Sequence, residues 1–223
     1  MQVNRQTLRA TAAALILGFV SNALLAATPE ELIAPIQTEW AEIKYNTPEK
    51  EQADRYQTLA KQSRTIVEGN PGAAEPLIWE GIVVSSEAGA RGGLGALSLC
   101  KDAKQRLEEA LKINDKALNG SAYTSLATLY AKVPGWPVGF GDKAKAEDLF
   151  KKSLAINPDG IDPNFFYGEY LVDRERFAEA RTHLETALKA APRPGRELAD
   201  SGRRKEISAM LEKLVEKLEK EKK

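Results

Sequence analysis

The chain has 223 residues, and its 32 Lys and Arg are cancelled by 32 Asp and Glu. An apolar fraction of 43% is enough to bury a core, and zero net charge excludes the basic surplus of a nucleic-acid binder. A single Cys, Cys100, and a single His, His183, exclude a disulfide framework, a cysteine-based zinc site and a multi-histidine metal centre, so no metal and no cofactor is expected.

Residues 1–27 read as a secretory signal. Arg5 and Arg9 precede a charge-free stretch whose apolar centre, Ala12 to Val20, is too short to span a membrane, and small residues follow at Ala26 and Ala27. The expectation is a cleaved signal peptide and export to a periplasm-like compartment. There Cys100 has no internal partner: it is either a small buried apolar residue or a thiol open to an intermolecular bridge.

The mature chain reads as helix throughout. Thr28-Pro29-Glu30-Glu31 is an N-cap, a proline at the first helical position and an acid at the third, and Leu32, Ile36, Trp40 and Ile43 form one helical face. Thr47-Pro48 starts a second helix in the same manner, ending at Gly69-Asn70-Pro71. Further helices are predicted over 73–87, 99–113, 118–131, 142–156, 162–172, 176–190 and 197–221.

Three of these share a small-residue grammar: Ala103-x3-Leu107-x2-Ala110-Leu111, Ala146-x3-Phe150-x2-Ser153-Leu154 and Ala180-x3-Leu184-x2-Ala187-Leu188. Pro158 and Pro192 lie 34 residues apart, the tetratricopeptide period. Gly168 and Ala180 occupy the two positions where the antiparallel helices of one repeat approach most closely, and Gly81 and Ala127 mark earlier copies. Those earlier repeats are stretched to 44 and 43 residues. The surplus falls on Gly89–Ala96 and Val133–Gly141, both rich in Gly or Pro and read as loops between the two helices of a repeat. The resulting expectation is an all-α, tetratricopeptide-like helical-hairpin solenoid over 28–192. Residues 193–223 are a capping helix with a Lys-rich tail, its stripe Ile207, Leu211, Leu214 and Leu218 closing the open end.

The run Val133-Pro134-Gly135-Trp136-Pro137-Val138-Gly139-Phe140-Gly141-Asp142-Lys143, with Leu154–Gly160, Phe166–Leu171, Arg193-Pro194-Gly195-Arg196 and Gly202-Arg203-Arg204, resembles a family of exported bacterial tetratricopeptide proteins. That family is similar to the T component associated with TRAP transporters, and the resemblance covers roughly residues 60–207. It implies a periplasmic binding or assembly role and no catalysis. No Cys follows the apolar run of residues 12–20, so the lipid anchor of the T component is not expected to carry over.

Three surfaces are candidates for a partner, expected to be a periplasmic protein or peptide segment, or else a small apolar molecule or lipid bound by an accessory component of a TRAP-type transport system. The first is the pair of long loops, with Trp136 and Phe140. Either these aromatics meet a partner or they fold back and plug the gap between helices. The second is the groove lined by the first helix of each repeat. Trp79, Phe165 and Tyr170 are read there as open to a ligand, and Tyr130 and Tyr167 as core. The third is the arginine cluster Arg193, Arg196, Arg203 and Arg204. Residues 192–223 are net +3 and residues 28–191 net −5, so the cluster either docks on the acidic solenoid or takes an anionic partner or lipid headgroup. Catalysis finds little support: His183, expected to face solvent, has no Cys or Ser beside it to activate. The acid pairs Glu108-Glu109 and Glu147-Asp148 point to different sides of their helices.

Overall fold

The computed structural model describes residues 27–221, so the signal segment expected at 1–27 lies outside the described residues apart from Ala27. The described chain is nine helices: α1 (Pro29–Asn46), α2 (Glu49–Gly69), α3 (Ala74–Arg91), α4 (Gly93–Ile113), α5 (Ala117–Lys132), α6 (Lys143–Ile156), α7 (Ile161–Asp173), α8 (Phe177–Lys189) and α9 (Glu197–Glu221). They pair as consecutive hairpins, α1 with α2, α3 with α4, α5 with α6 and α7 with α8. The first helices of the hairpins also touch in order, α1 to α3 to α5 to α7, forming one row. This is the helical-hairpin solenoid that the small-residue grammar predicts.

The glycines show why the grammar works. A Cβ on Gly81 would come within 2.8 Å of Leu107 on the paired helix, and one on Gly168 within 2.9 Å of Leu184. Ala103, Ala146, Ala180 and Ala127 are fully buried at the matching crossings. Any larger side chain there wedges the hairpin apart. A fully buried carboxylate, Glu80 on α3, ties three helices together by accepting from Arg64 of α2 at 2.9 Å and pairing with Arg106 of α4 at 3.2 Å.

Of the two caps expected from sequence, that of α1 forms and that of α2 does not. Thr28 and Glu31 form the reciprocal box (Glu31 N–H to Thr28 Oγ1 at 3.2 Å, Thr28 N–H to Glu31 Oε2 at 2.7 Å), and Asp142 caps α6 through the Lys145 amide at 3.0 Å. Thr47 does not cap α2. Its hydroxyl donates to the Glu42 carbonyl at 3.1 Å, closing the end of α1 instead.

The predicted loop at Gly89–Ala96 is not a loop. α3 runs on to Arg91, α4 begins at Gly93, and Gly92 alone separates them with φ +62°. The surplus residues of this repeat lengthen both helices. Gly89 and Gly95 stay helical at a cost of about 0.5–1 kcal/mol each, which the packing of neighbours such as Ala88 and Leu99 offsets. Only the second insertion, between α5 and α6, leaves the helical path. Two adjacent insertions on one edge therefore reduce to one.

Candidate functional site

The groove is already occupied. After Pro192 the chain turns back, and α9 packs on α8, α7 and, at the far end of the row, α1. Ala199, Gly202, Arg203, Ile207 and Leu214 are among its buried residues. Gly202 sits flat against the Tyr45 ring, where a Cβ would come within 2.4 Å of the ring carbons.

The groove aromatics are covered by arginines of the same chain. Trp79 lies 4.9 Å below the Arg196 guanidinium and edge-on to Trp40, and it is 4% exposed. The Arg203 guanidinium lies 4.3 Å from Phe165 and 4.6 Å from Phe166. The reading of Phe165 and Tyr170 as open is corrected: both are buried, Phe165 under Arg203 and Tyr170 in the core. The Tyr170 hydroxyl donates to the Lys143 carbonyl at 3.0 Å, pinning the start of α6, and its ring stacks on Tyr167.

An ionic network locks α9 in place. Asp162, in the first turn of α7, accepts from Arg193 at 2.7 Å and from Arg203 at 3.1 Å. Asp200 on α9 accepts from Arg193 at 2.8 Å, and Glu206 accepts from Arg203 at 2.7 Å and from the Tyr45 hydroxyl at 3.3 Å. Burial opposes ionisation of Asp162, yet Arg203 and Arg193 overcome it and hold the carboxyl at about 2, below its ordinary 3.8. Arg193 and Arg196 are thus engaged with the chain itself, and of the two readings of the arginine cluster the self-docking one describes the geometry. Sequence reasoning does not reach Asp162 and Glu206. The opposite net charges of solenoid and cap are the available signal, but they do not say which acid meets which arginine.

Magnitudes argue that α9 stays. Burying Ile207 and Leu214 is worth about 2 kcal/mol each, before the stacked and ion-paired Arg203 is added. A micromolar peptide gains about 8 kcal/mol in total, most of which displacement of α9 would consume. A peptide or small apolar ligand expected in the groove meets this competitor.

Beside the groove is an open cleft of about 890 Å³ between the Pro192–Glu197 segment and the outer side of α9. Pro192, Pro194 and Ala209 supply apolar wall, and the charged lining is mixed, with Arg193, Arg204 and Lys205 beside Glu197, Asp200 and Glu212.

The remaining candidate is the insertion between α5 and α6. Its backbone closes on itself: the amides of Val138 and Gly139 donate to the Gly135 carbonyl at 3.1 Å each. The Gly141 amide donates to Pro134 at 2.9 Å, and that of Asp142 to Tyr130 at 3.0 Å. Gly141 is obligatory, since a Cβ there would lie 1.8 Å from the Val133 carbonyl oxygen. The two loop aromatics part company. Phe140 folds back, half-buried and edge-on to Tyr130 at 5.4 Å, plugging the gap between helices. Trp136 points away and is 90% exposed, with Val138 at 64%.

Elsewhere, His183 is half-buried rather than solvent-facing. Its Nδ1 lies 2.9 Å from Asn164 Oδ1, its ring packs on Tyr167, and burial lowers its pKa. Cys100 is half-buried, and burial pushes its thiol up. No group of three or more His, Cys, Asp or Glu placed to hold a metal occurs among the described residues.

The nine-helix row of close-packed hairpins defines a tetratricopeptide-like helical solenoid. A thermophilic tetratricopeptide protein of Thermus thermophilus, TTC0263, shares this fold at a TM-score of 0.56, with 17% identity over 82% of each chain. The pilF protein of Pseudomonas aeruginosa aligns at a TM-score of 0.34, with 15% identity over 85% of this chain and 93% of its own. No protein-family model and no curated protein matches the sequence.

Proposed function

We propose that this chain is an exported, non-catalytic tetratricopeptide scaffold that docks a protein partner, and that the partner segment lies in the cleft along α9 rather than in the aromatic groove. The observation that carries the reading is that cleft, about 890 Å³, open and walled by Pro192, Pro194 and Ala209, with both signs of charge in its lining from Arg204, Lys205, Glu197 and Glu212. It is supported by the groove's occupation by α9, which leaves Trp79 and Phe165 without a free face. Export rests on the signal-like residues 1–27, and a periplasmic partner follows from it.

A pull-down from a periplasmic extract tests the site. Ala209 is exposed in the cleft, so Ala209→Trp obstructs it without disturbing the core. The expected result is a partner retained by wild type and lost by Ala209→Trp. Retention of the same partner by both refutes the cleft as the docking site.

A further inference from the structure

Trp136 is the largest exposed apolar side chain of the described residues, and it stands on a tip closed by its own hydrogen bonds. The tip is small and apolar in composition: Pro134, Trp136, Pro137 and Val138, all exposed. A standard protein interface buries about 800 Å² per partner, with its hot spot ringed by near-neutral contacts. Here the ring is cationic instead. Lys143 and Lys145 follow the loop directly and are exposed, and neither is ion-paired among the described residues. The Lys143 ammonium donates to the Ala131 carbonyl, and that of Lys145 donates to the Tyr130 hydroxyl at 2.7 Å, 4.3 Å over its ring. Lys104 lies 5.8 Å from the Phe140 ring and pairs with Glu108. Leu97 of α4 sits against the same loop, 3.3 Å from where a Gly139 Cβ would be, and the exposed Lys101 is one turn further along. Near this edge Asp142 is spent on capping α6, Glu108 pairs with Lys104, Lys132 at the base of the loop pairs with Glu169 and Asp173, and Asp102 follows Lys101 in the chain.

We propose that the Trp136 loop is a membrane-contact element that inserts its tip into the interfacial region of a bilayer while Lys143, Lys145 and Lys101 reach anionic lipid headgroups. An indole favours that interface because its ring is apolar and its N–H stays wet. Lysine stems run along apolar surface and place their charge at headgroup level. A single projecting tip gives weak, reversible binding that depends on anionic lipid, with each lysine contributing about fivefold. The chain then carries two contacts at different places: the α9 cleft for a protein segment and the loop for lipid.

Vesicles test this directly. Trp40 and Trp79 are buried, so a change in tryptophan emission on binding reports Trp136. The full chain, and a form starting at Thr28 that lacks the apolar leader yet keeps every described helix, are each mixed with phosphatidylcholine vesicles. Both are also mixed with vesicles that additionally contain phosphatidylglycerol. The expected result is a blue shift and co-sedimentation with the anionic vesicles only, weakened by salt. Both signals fall about tenfold or more in Trp136→Ala and in Lys143→Glu with Lys145→Glu, while the circular dichroism of both variants and the melting of Trp136→Ala stay those of wild type. Equal sedimentation of wild type and Trp136→Ala, or an emission unchanged by anionic vesicles, overturns the proposal. So does a Trp136-dependent complex with a protein in the absence of vesicle binding. Ala209→Trp is expected to co-sediment with the anionic vesicles as wild type does, so a failure of the cleft reading is separable from a failure of this one.

Discussion

Two aromatic surfaces of this molecule look alike in sequence and end in opposite states. The helix row offers Trp79, Phe165 and Phe166, and the α5–α6 insertion offers Trp136 and Phe140. The first set is covered by Arg196 and Arg203 of the returning C-terminal segment. In the second, Phe140 is folded under and Trp136 is left 90% exposed. The difference lies in the chain downstream of each. Pro192 to Arg196 turns α9 back over the row, bringing guanidinium groups that match both the rings and Asp162. The α5–α6 loop closes on its own backbone within about ten residues, so no later segment is brought across Trp136. Aromatic richness alone is therefore a poor guide to a free surface.

Four changes sharpen that contrast, in falling order of effect. Arg203→Ala removes both ring stacks and leaves Asp162 with one of its two partners. A loss of about 3 kcal/mol is expected in urea unfolding, because breaking a largely buried pair strands its charge. Gly141→Ala forces the loop apart at the Val133 carbonyl and is expected to cost about 2 kcal/mol, with the Tyr130–Phe140 contact loosened in the near-ultraviolet spectrum. Acid is next. Asp162 is held at about 2 by Arg203 and Arg193 against burial, and Glu147 at about 2 chiefly by its hydrogen bond from Arg176. A carboxylate with a lowered folded pKa binds fewer protons when folded, so its stabilisation is present above about pH 4 and lost as pH falls toward 2. For Asp162 this is on the order of 2 kcal/mol, read as a falling melting temperature. In Asp162→Asn that pH dependence is expected to shrink. Trp136→Ala comes last: stability is expected to stay within about 0.5 kcal/mol of wild type, since the ring has no packing to lose.

Much of the fold is legible in the sequence. The steps of Leu32, Ile36, Trp40 and Ile43, and the small residues Gly81, Gly168, Ala146 and Ala180, fix helices and crossings because both depend on local spacing. The failures are local in a different way. Gly89, Gly92, Gly93 and Gly95 look equally breaking, but only Gly92 and Gly93 take the left-handed backbone. Helix packing decides that, and spacing carries no trace of it. The site is less legible. Trp136 can be named from sequence but not told apart from Phe140, since which of two loop aromatics turns inward depends on the gap beside Tyr130. The covering of Phe165 by Arg203 is a contact across 38 residues of chain that no repeat pattern encodes.

Hydrogen exchange along α9 tests the occupied groove most directly. Amides from Ala199 to Ile207 are expected to exchange as slowly as those of α7, with Arg203→Ala accelerating them selectively. Exchange of Ala199–Ile207 at the rate of a solvated helix, in a molecule whose α7 is fully protected, would contradict it and return Trp79 and Phe165 to the free surface.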